Sequence, residues 1–142
     1  MDTNIVQPVI SIILPTKDGA ARISAAIRSV VAQTYPSWEL IIIDDGSVDE
    51  TETVVQSFCR LHPEIIFHKN EINLGIQKTL NKGIALARGE YIARIDDDDT
   101  WTDQDKLTQK LAYMAEHPTC AFVGTYAIVV DEEQYEVMRY TL

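Results

Sequence analysis

Four consecutive aspartates, Asp96 to Asp99, follow directly on Tyr91, Ile92, Ala93, Arg94 and Ile95, so a strand is expected to end in a cluster of carboxylates. Like charges this close repel and raise one another's pKa, a cost that a cation, hydrogen-bond donors or full solvation must offset. Thr100 and Trp101 come next, which is not the composition of a solvated acidic tail. The expected chemistry is a divalent cation held by oxygen ligands, with a plain solvated turn as the competing reading. No His or Cys stands beside the cluster, which favours Mg2+ or Mn2+ over Zn2+.

A second acidic pair opens the stretch Asp44-Asp45-Gly46-Ser47. Asp-Gly-Ser is strong turn chemistry, so this pair reads equally well as a turn and cap or as part of a site. Asp103 and Asp105 suit a helix N-terminus, where acidic side chains complement the dipole. His62, His68 and His117 are scattered and read as surface or satisfied core side chains. Trp38 and Trp101 are expected to pack, Trp101 near enough to the aspartates to wall a site there. Lys78, Lys82 and Arg88 are expected on a solvated helix face, from which one could reach a phosphate.

The elements that must position these groups follow from hydrophobic periodicity. Val9 to Leu14, closed by Pro15, and Glu39 to Ile43, closed by Asp44 and Asp45, are near-continuous apolar runs, as expected of strands buried on both faces. Ile23, Ile27, Val30 and Val31 recur at helical spacing between about Ala20 and Thr34, and Tyr35-Pro36 ends that helix. A second helix is expected from about Asp49 to Leu61, with Val54, Val55, Phe58 and Leu61 on one face. Ser47 with Glu50, or Asp49 with Glu52, has capping-box form at its start. Ile65 to Phe67 reads as a short strand before the turn-rich Asn70 to Gly75. Next come a helix with Ile76, Leu80, Ile84 and Ala87 in register, a left-handed C-cap at Gly89, and the strand Glu90 to Ile95. A helix from about Asp103 to Glu116, with Leu107, Leu111 and Met114 inward, is stopped by His117-Pro118. Ala121 to Val130 and Tyr135 to Tyr140 read as two strands around a turn at Asp131 to Gln134. Alternating strands and helices predict an α/β sheet, parallel through its first half at least. Ligands gather at the carboxyl ends of such strands, so Pro15 to Asp18, Asp44 to Ser47 and Asp96 to Asp99 should converge on one edge.

The 142 residues are expected to form one domain, residues 1–142, with a single core. A formal net charge of -10 argues against nucleic acid or an anionic membrane surface as the main partner, yet leaves room for a phosphate ligand held by a metal and helix N-termini. Cys59 and Cys120 lack CxxC spacing and fit reduced thiols in a cytoplasmic setting. Met1 to Pro8 carries Asp2 and no Lys or Arg, unlike a secretory signal, and Val9 to Leu14 is too short to span a bilayer.

With these pieces assembled, the chain resembles the nucleotide-binding part of the family 2 inverting glycosyltransferases, which have the GT-A fold. The resemblance rests on an ordered set between Ile10 and about Gly124. It comprises Ser11-Ile12-Ile13-Leu14-Pro15-Thr16, Ser29 to Tyr35, Glu39 to Ser47, Asn73-Leu74-Gly75, Asn81-Lys82-Gly83, Gly89-Glu90-Tyr91-Ile92 and Asp96 to Asp99. A lone DxD is weak; the set in this order is specific. The resemblance implies a mostly parallel, Rossmann-like sheet flanked by helices, and a nucleotide-sugar site of Pro15, Thr16, Asp18, Asp45, Asp96 and Asp97. Together with the strand-end rule, the resemblance puts Thr16, Asp45 and Asp98 in one crevice. Within it Pro15 and Thr16 would line the base pocket, Asp45 would accept a hydrogen bond from the base or help orient it, and Asp97 would lie nearest the ribose. Asp98, with Asp96, would ligate Mn2+ or Mg2+ bridging the diphosphate of a nucleotide-sugar donor, a UDP-sugar foremost. Lys17 and Asp18 stand where an aromatic residue and Asn are common in the family, and Asp97 where a small residue is often found.

The implied function is transfer of a sugar to a hydroxyl of a glycan, lipid-linked or other acceptor. The family's acceptor-binding half and catalytic base are expected beyond Leu142, so these residues alone are expected to bind donor but transfer negligibly. Self-association through an exposed sheet edge is expected too. A non-catalytic nucleotide-binding or regulatory domain of the same fold is the alternative. A dinucleotide-binding module fits less well, because Pro15-Thr16-Lys17-Asp18 stands where a GxGxxG turn would be needed. The implied location is the cytoplasm, with membrane association only through the acceptor or a further C-terminal part.

Overall fold

The computed structural model describes residues 8–125, 127–130, 133 and 136–140. Its elements run β1 (Ile10–Thr16), α1 (Ile23–Val31), β2 (Trp38–Asp44), α2 (Thr51–Cys59), β3 (Ile65–Lys69), α3 (Ile76–Leu86), β4 (Tyr91–Arg94), α4 (Lys106–Glu116), β5 (Ala127–Val130) and β6 (Glu136–Tyr140). They fall into two compact units, Met1–Leu107 and Thr108–Leu142. In the first unit four strands pair in the order β3-β2-β1-β4, every pair parallel. This is the expected α/β sheet. In the second unit β5 and β6 form an antiparallel hairpin with an irregularity between Val129 and Val130. Most of the turn expected at Asp131 to Gln134 lies outside the described residues.

The apolar runs form central strands for the reason their composition predicts. Ile12, Ile13, Leu14, Leu40, Ile41, Ile42 and Ile43 are all essentially inaccessible. Alternate side chains point to opposite faces of a strand, so both faces of β1 and β2 are covered. One face carries Ile13, Ile41 and Ile43, packed against Leu80 and Ala87 of the α3 region. The general right-handed rule for parallel crossovers assigns the other face to α1 and α2. The chain order reverses between β1 and β4, which creates a switch point at their carboxyl ends.

β1 runs through Pro15 to Thr16 instead of stopping at Leu14. Val9 and Ile13 offer their carbonyls to β4, whereas Thr16 accepts from Asp45 on the β2 side. The amide that Pro15 lacks would therefore face β4, beyond the last β1–β4 pair of Ile13 with Arg94.

Several expected local features give way to tertiary contacts. No capping box forms on α2. The Ser47 hydroxyl accepts from the Asp18 amide at 2.8 Å and donates to Asp44, while Asp49 accepts from Thr51 and from the Ala20 amide. Both residues tie the loop after β2 to the loop after β1. Leu61 is 76% exposed, not on the inner face of α2. On α3, Ile76 and Ile84 are exposed and the buried positions are Thr79 and Gly83. Leu80 and Ala87 of the expected face do pack on the core, so the inner face runs through Thr79, Leu80, Gly83 and Ala87 and leaves Ile76 and Ile84 outside it. Gly89 is not a left-handed cap, since the chain leaves α3 in an extended conformation at Ala87. Its role is close approach, because a Cβ at Gly89 would lie 2.6 Å from the Ser11 nitrogen.

Arg88 also departs from expectation. It does not line a solvated helix face: its guanidinium donates to Glu39 at 2.6 and 2.9 Å. Glu39 is 1% exposed and also accepts from the Ser11 hydroxyl at 2.6 Å and the Arg88 amide at 2.9 Å. Burial pushes the Glu39 carboxyl up, but the donors from Ser11 and Arg88 outweigh it and leave the group below its ordinary range. This cluster clips the α3–β4 corner to the amino ends of β1 and β2, away from the strand ends where the aspartates gather.

Candidate functional site

The loop after β1 sets the first wall of the site. Asp18 sits in the left-handed region at φ 49°, which an aspartate tolerates better than most residues. That turn aims three successive amides at the loop after β2 and the start of α2: Asp18 at Ser47, Gly19 at the Thr51 hydroxyl at 2.9 Å, and Ala20 at Asp49 at 3.0 Å. The Asp18 carboxylate accepts from the Val48 amide at 2.9 Å. This bond, then the Lys17 ammonium, holds its carboxyl below the usual range.

Asp97 is the buried member of the aspartate cluster, 9% exposed. The Thr16 hydroxyl donates to its Oδ2 at 2.6 Å, and the Arg22 guanidinium lies 3.3–3.4 Å from its two oxygens. The approach requires Gly19, where a Cβ would come within 2.5 Å of the Asp97 carboxylate. β1, the α1 entrance and the end of β4 are thereby fastened at one point.

Asp45, 5% exposed, organises the second wall. Its Oδ1 accepts from Asn70 Nδ2 at 2.9 Å and the Leu74 amide at 2.8 Å, and its Oδ2 from the Gly75 amide at 2.8 Å. Burial pushes its carboxyl up, but these donors, with the Thr79 hydroxyl, prevail and lower it. Asp44 is structural: its Oδ1 accepts from the Ser47 amide and hydroxyl, and its buried Oδ2 makes no hydrogen bond, with Lys69 at 3.9 Å.

Between these walls lies a crevice of about 390 Å³ at the carboxyl ends of β1, β2 and β4. Of the residues singled out from sequence, Pro15, Thr16, Asp45, Asp96 and Asp97 line it. Asp18 and Asp98 do not. Asp96 pairs with Arg94 at 2.8 Å. Asp98 is exposed and makes no hydrogen bond or ion pair among the described residues. Partial desolvation, then the charges of Asp98 and Asp96, pushes the carboxyl of the exposed Asp99 up. Trp101 lies outside the crevice lining, under the Lys106 ammonium at 5.3 Å.

Among the described residues no three His, Cys, Asp or Glu side chains form a ready cage for a metal. The donor set still suits a hard cation. Mg2+ keeps several waters and takes one or two carboxylates together with substrate phosphates, and Asp98 offers an unengaged carboxylate beside mutually repelling neighbours. Sequence reasoning missed Arg22, which also lines the crevice. The signal available in the sequence was a cation near the expected start of α1, where the helix dipole disfavours one.

The family model for glycosyl transferase family 2 matches residues 11–141. The chain belongs to glycosyltransferase family 2. This family 2 chain is 35% identical over 127 residues to a putative teichuronic acid biosynthesis glycosyltransferase of Bacillus subtilis, covering 89% of the chain and 50% of the relative. It is 40% identical over 129 residues to a putative colanic acid biosynthesis glycosyl transferase of Escherichia coli K12, covering 90% and 46%. A third relative, 34% identical over 85% of the chain and 47% of its own length, is the Escherichia coli enzyme named UDP-Glc:alpha-D-GlcNAc-diphosphoundecaprenol beta-1,3-glucosyltransferase. The chain thus spans about half the length of the curated relatives it matches.

Solved glycosyltransferases share the fold of this family 2 chain. A mannosyltransferase of Pyrobaculum calidifontis in complex with GDP-Man and Mn2+ superposes with a TM-score of 0.72 at 25% identity, over 78% of this chain and 33% of that one. TarS of S. aureus in complex with UDP gives 0.71 at 27%, over 77% and 32%. The sheet is therefore the GT-A sheet that the ordered motifs implied. No helix among the described residues is long and apolar enough to cross a membrane.

Proposed function

We propose that the crevice binds the nucleoside diphosphate of a sugar donor and that the chain supplies the donor side of an inverting glycosyl transfer to an acceptor hydroxyl. One observation carries this reading: Thr16, Asp45 and the pair Asp96-Asp97, from three different strand ends, line a single cleft. Pro15, Thr16 and the Asn73–Gly75 loop wall the base. Asp45 acts there chiefly by holding that loop, since three donors, from Asn70, Leu74 and Gly75, already engage its carboxylate. Asp97, steadied by Thr16 and Arg22, presents its carboxylate to the ribose hydroxyls. Lys17 and Arg22 bring positive charge to the cleft of an otherwise acidic protein. Asp98, with Asp96, would hold Mn2+ or Mg2+. Bound there, the cation supplies Lewis-acid stabilisation of the charge on the departing nucleoside diphosphate.

A UDP-sugar is the foremost donor, supported by the UDP-glucose in one relative's name and the UDP bound to TarS. A glycan or lipid-linked hydroxyl is the acceptor class, in line with the diphosphoundecaprenol named for the same relative. The cysteines, free in the structure, fit a cytoplasmic site of action. An inverting transfer also needs a base to deprotonate the acceptor hydroxyl, and no described residue is assigned that part. Calorimetric titration of UDP-, GDP- and TDP-sugars with and without Mn2+ tests the proposal. Metal-dependent binding of one base class is expected, and equal binding in chelator would count decisively against the metal site.

A further inference from the structure

Asn70 lies at the end of β3, 4% exposed, with its amide nitrogen donating to the Asp44 carbonyl at 2.8 Å. Its side chain faces two partners of opposite chemistry. Lys82 Nζ, from α3, donates to Oδ1 at 2.7 Å, while Nδ2 donates to Asp45 Oδ1 at 2.9 Å. An ammonium can only donate and a carboxylate only accept, so the pair dictates a single orientation of the amide. Asp45 in turn holds the amides of Leu74 and Gly75. The loop from Asn70 to Gly75 is a shared wall: Asn73 and Gly75 face the crevice, whereas Asn70, Ile72, Leu74 and Lys82 line a separate cavity of about 390 Å³.

We propose that Asn70, anchored by Lys82, is a positioning residue that sets the crevice wall through Asp45 without itself lining the crevice. The inference deepens the donor-binding reading and rests on it. Without Lys82, the buried Asn70 oxygen has no partner, and satisfying it requires water to enter or the amide to swing off Asp45. An Asn70→Asp change keeps the shape, and keeps a partner for Lys82, but turns a carboxylate toward Asp45.

The test measures amide hydrogen exchange at Leu74 and Gly75 by NMR without ligand, and nucleotide affinity separately, in Lys82→Met, Lys82→Arg and Asn70→Asp. Lys82→Met is expected to speed exchange at Leu74 about tenfold and to weaken UDP binding by roughly three- to tenfold, less than the full worth of a charge-assisted hydrogen bond because Lys82 acts on the ligand only through Asn70 and Asp45. Lys82→Arg should restore both, and Asn70→Asp should exceed Lys82→Met in both. Unchanged exchange in Lys82→Met and Asn70→Asp would overturn the proposal. So would faster exchange with wild-type UDP affinity, because the loop would then be held without mattering to the ligand. A wild-type chain that binds no nucleotide would instead be a failure of the donor-binding reading, and the exchange comparison would still decide the link from Lys82 to the loop.

Discussion

Arg22 and Thr16 make unequal claims on Asp97, and their environments say which matters more. The Thr16 hydroxyl is buried and bonds the carboxylate at 2.6 Å, whereas the Arg22 side chain is 48% exposed and 3.3 Å away. A buried hydrogen bond to a charged group is worth roughly 1.5–3 kcal/mol, while a solvent-screened ion pair contributes about 0.2–1 kcal/mol. Thr16→Val is therefore expected to weaken nucleotide binding by about tenfold or more and Arg22→Met by only a few-fold. Calorimetry on the two variants checks the order, and a larger effect at Arg22 would mean that it contacts the ligand directly. Asp98 has a different signature. It is exposed and unengaged, so Asp98→Ala should leave the unfolding temperature unchanged while removing the Mn2+ dependence of nucleotide affinity.

At the scale of elements, the cluster of Ser11, Glu39, Arg88 and the Gly89 amide locks the α3–β4 corner onto the sheet. Arg88→Met strips the guanidinium donors from a buried carboxylate that keeps Ser11 and the Arg88 amide, and because the Arg88 side chain is half-exposed it is expected to cost about 1 kcal/mol in chemical denaturation. The native pKa values of Glu39 and Asp45 are lowered. In the window just below the ordinary carboxylate value of about 4 the unfolded chain therefore binds more protons than the native one. Their stabilisation is complete above that value and is lost as pH falls through the lower native values. Denaturation midpoints should thus fall steeply below about pH 4, and less steeply in Arg88→Met. The strands were legible in the sequence because burial on both faces leaves continuous apolar runs such as Ile12 to Leu14 and Leu40 to Ile43. Helix starts and the roles of Gly89 and Arg88 were not, because each is decided by a partner distant in sequence: Ser47 serves Asp18, Gly89 meets Ser11, and Arg88 finds Glu39. The acidic cluster located the site, yet its inner and outer members could not be told apart. Burial of Asp97 against Thr16 is a tertiary fact with no trace in four identical residues.

The molecule as a whole is a glycosyltransferase family 2 chain with a GT-A sheet and a cleft at the sheet's switch point. Ligand that binds only the native state also raises its stability, by about 2.7 kcal/mol at a hundredfold excess over Kd. UDP with Mn2+ should therefore raise the unfolding temperature, and chelator should reverse the gain. The most direct test of the central claim is an NMR map of backbone amides during titration with UDP and Mg2+. The account predicts shifts concentrated at Thr16, Asp45, Gly75 and Asp97, around the carboxyl ends of β1, β2 and β4. Shifts confined to Ser37, Glu39 and Gly89 at the opposite strand ends, or none at saturating nucleotide, would contradict it.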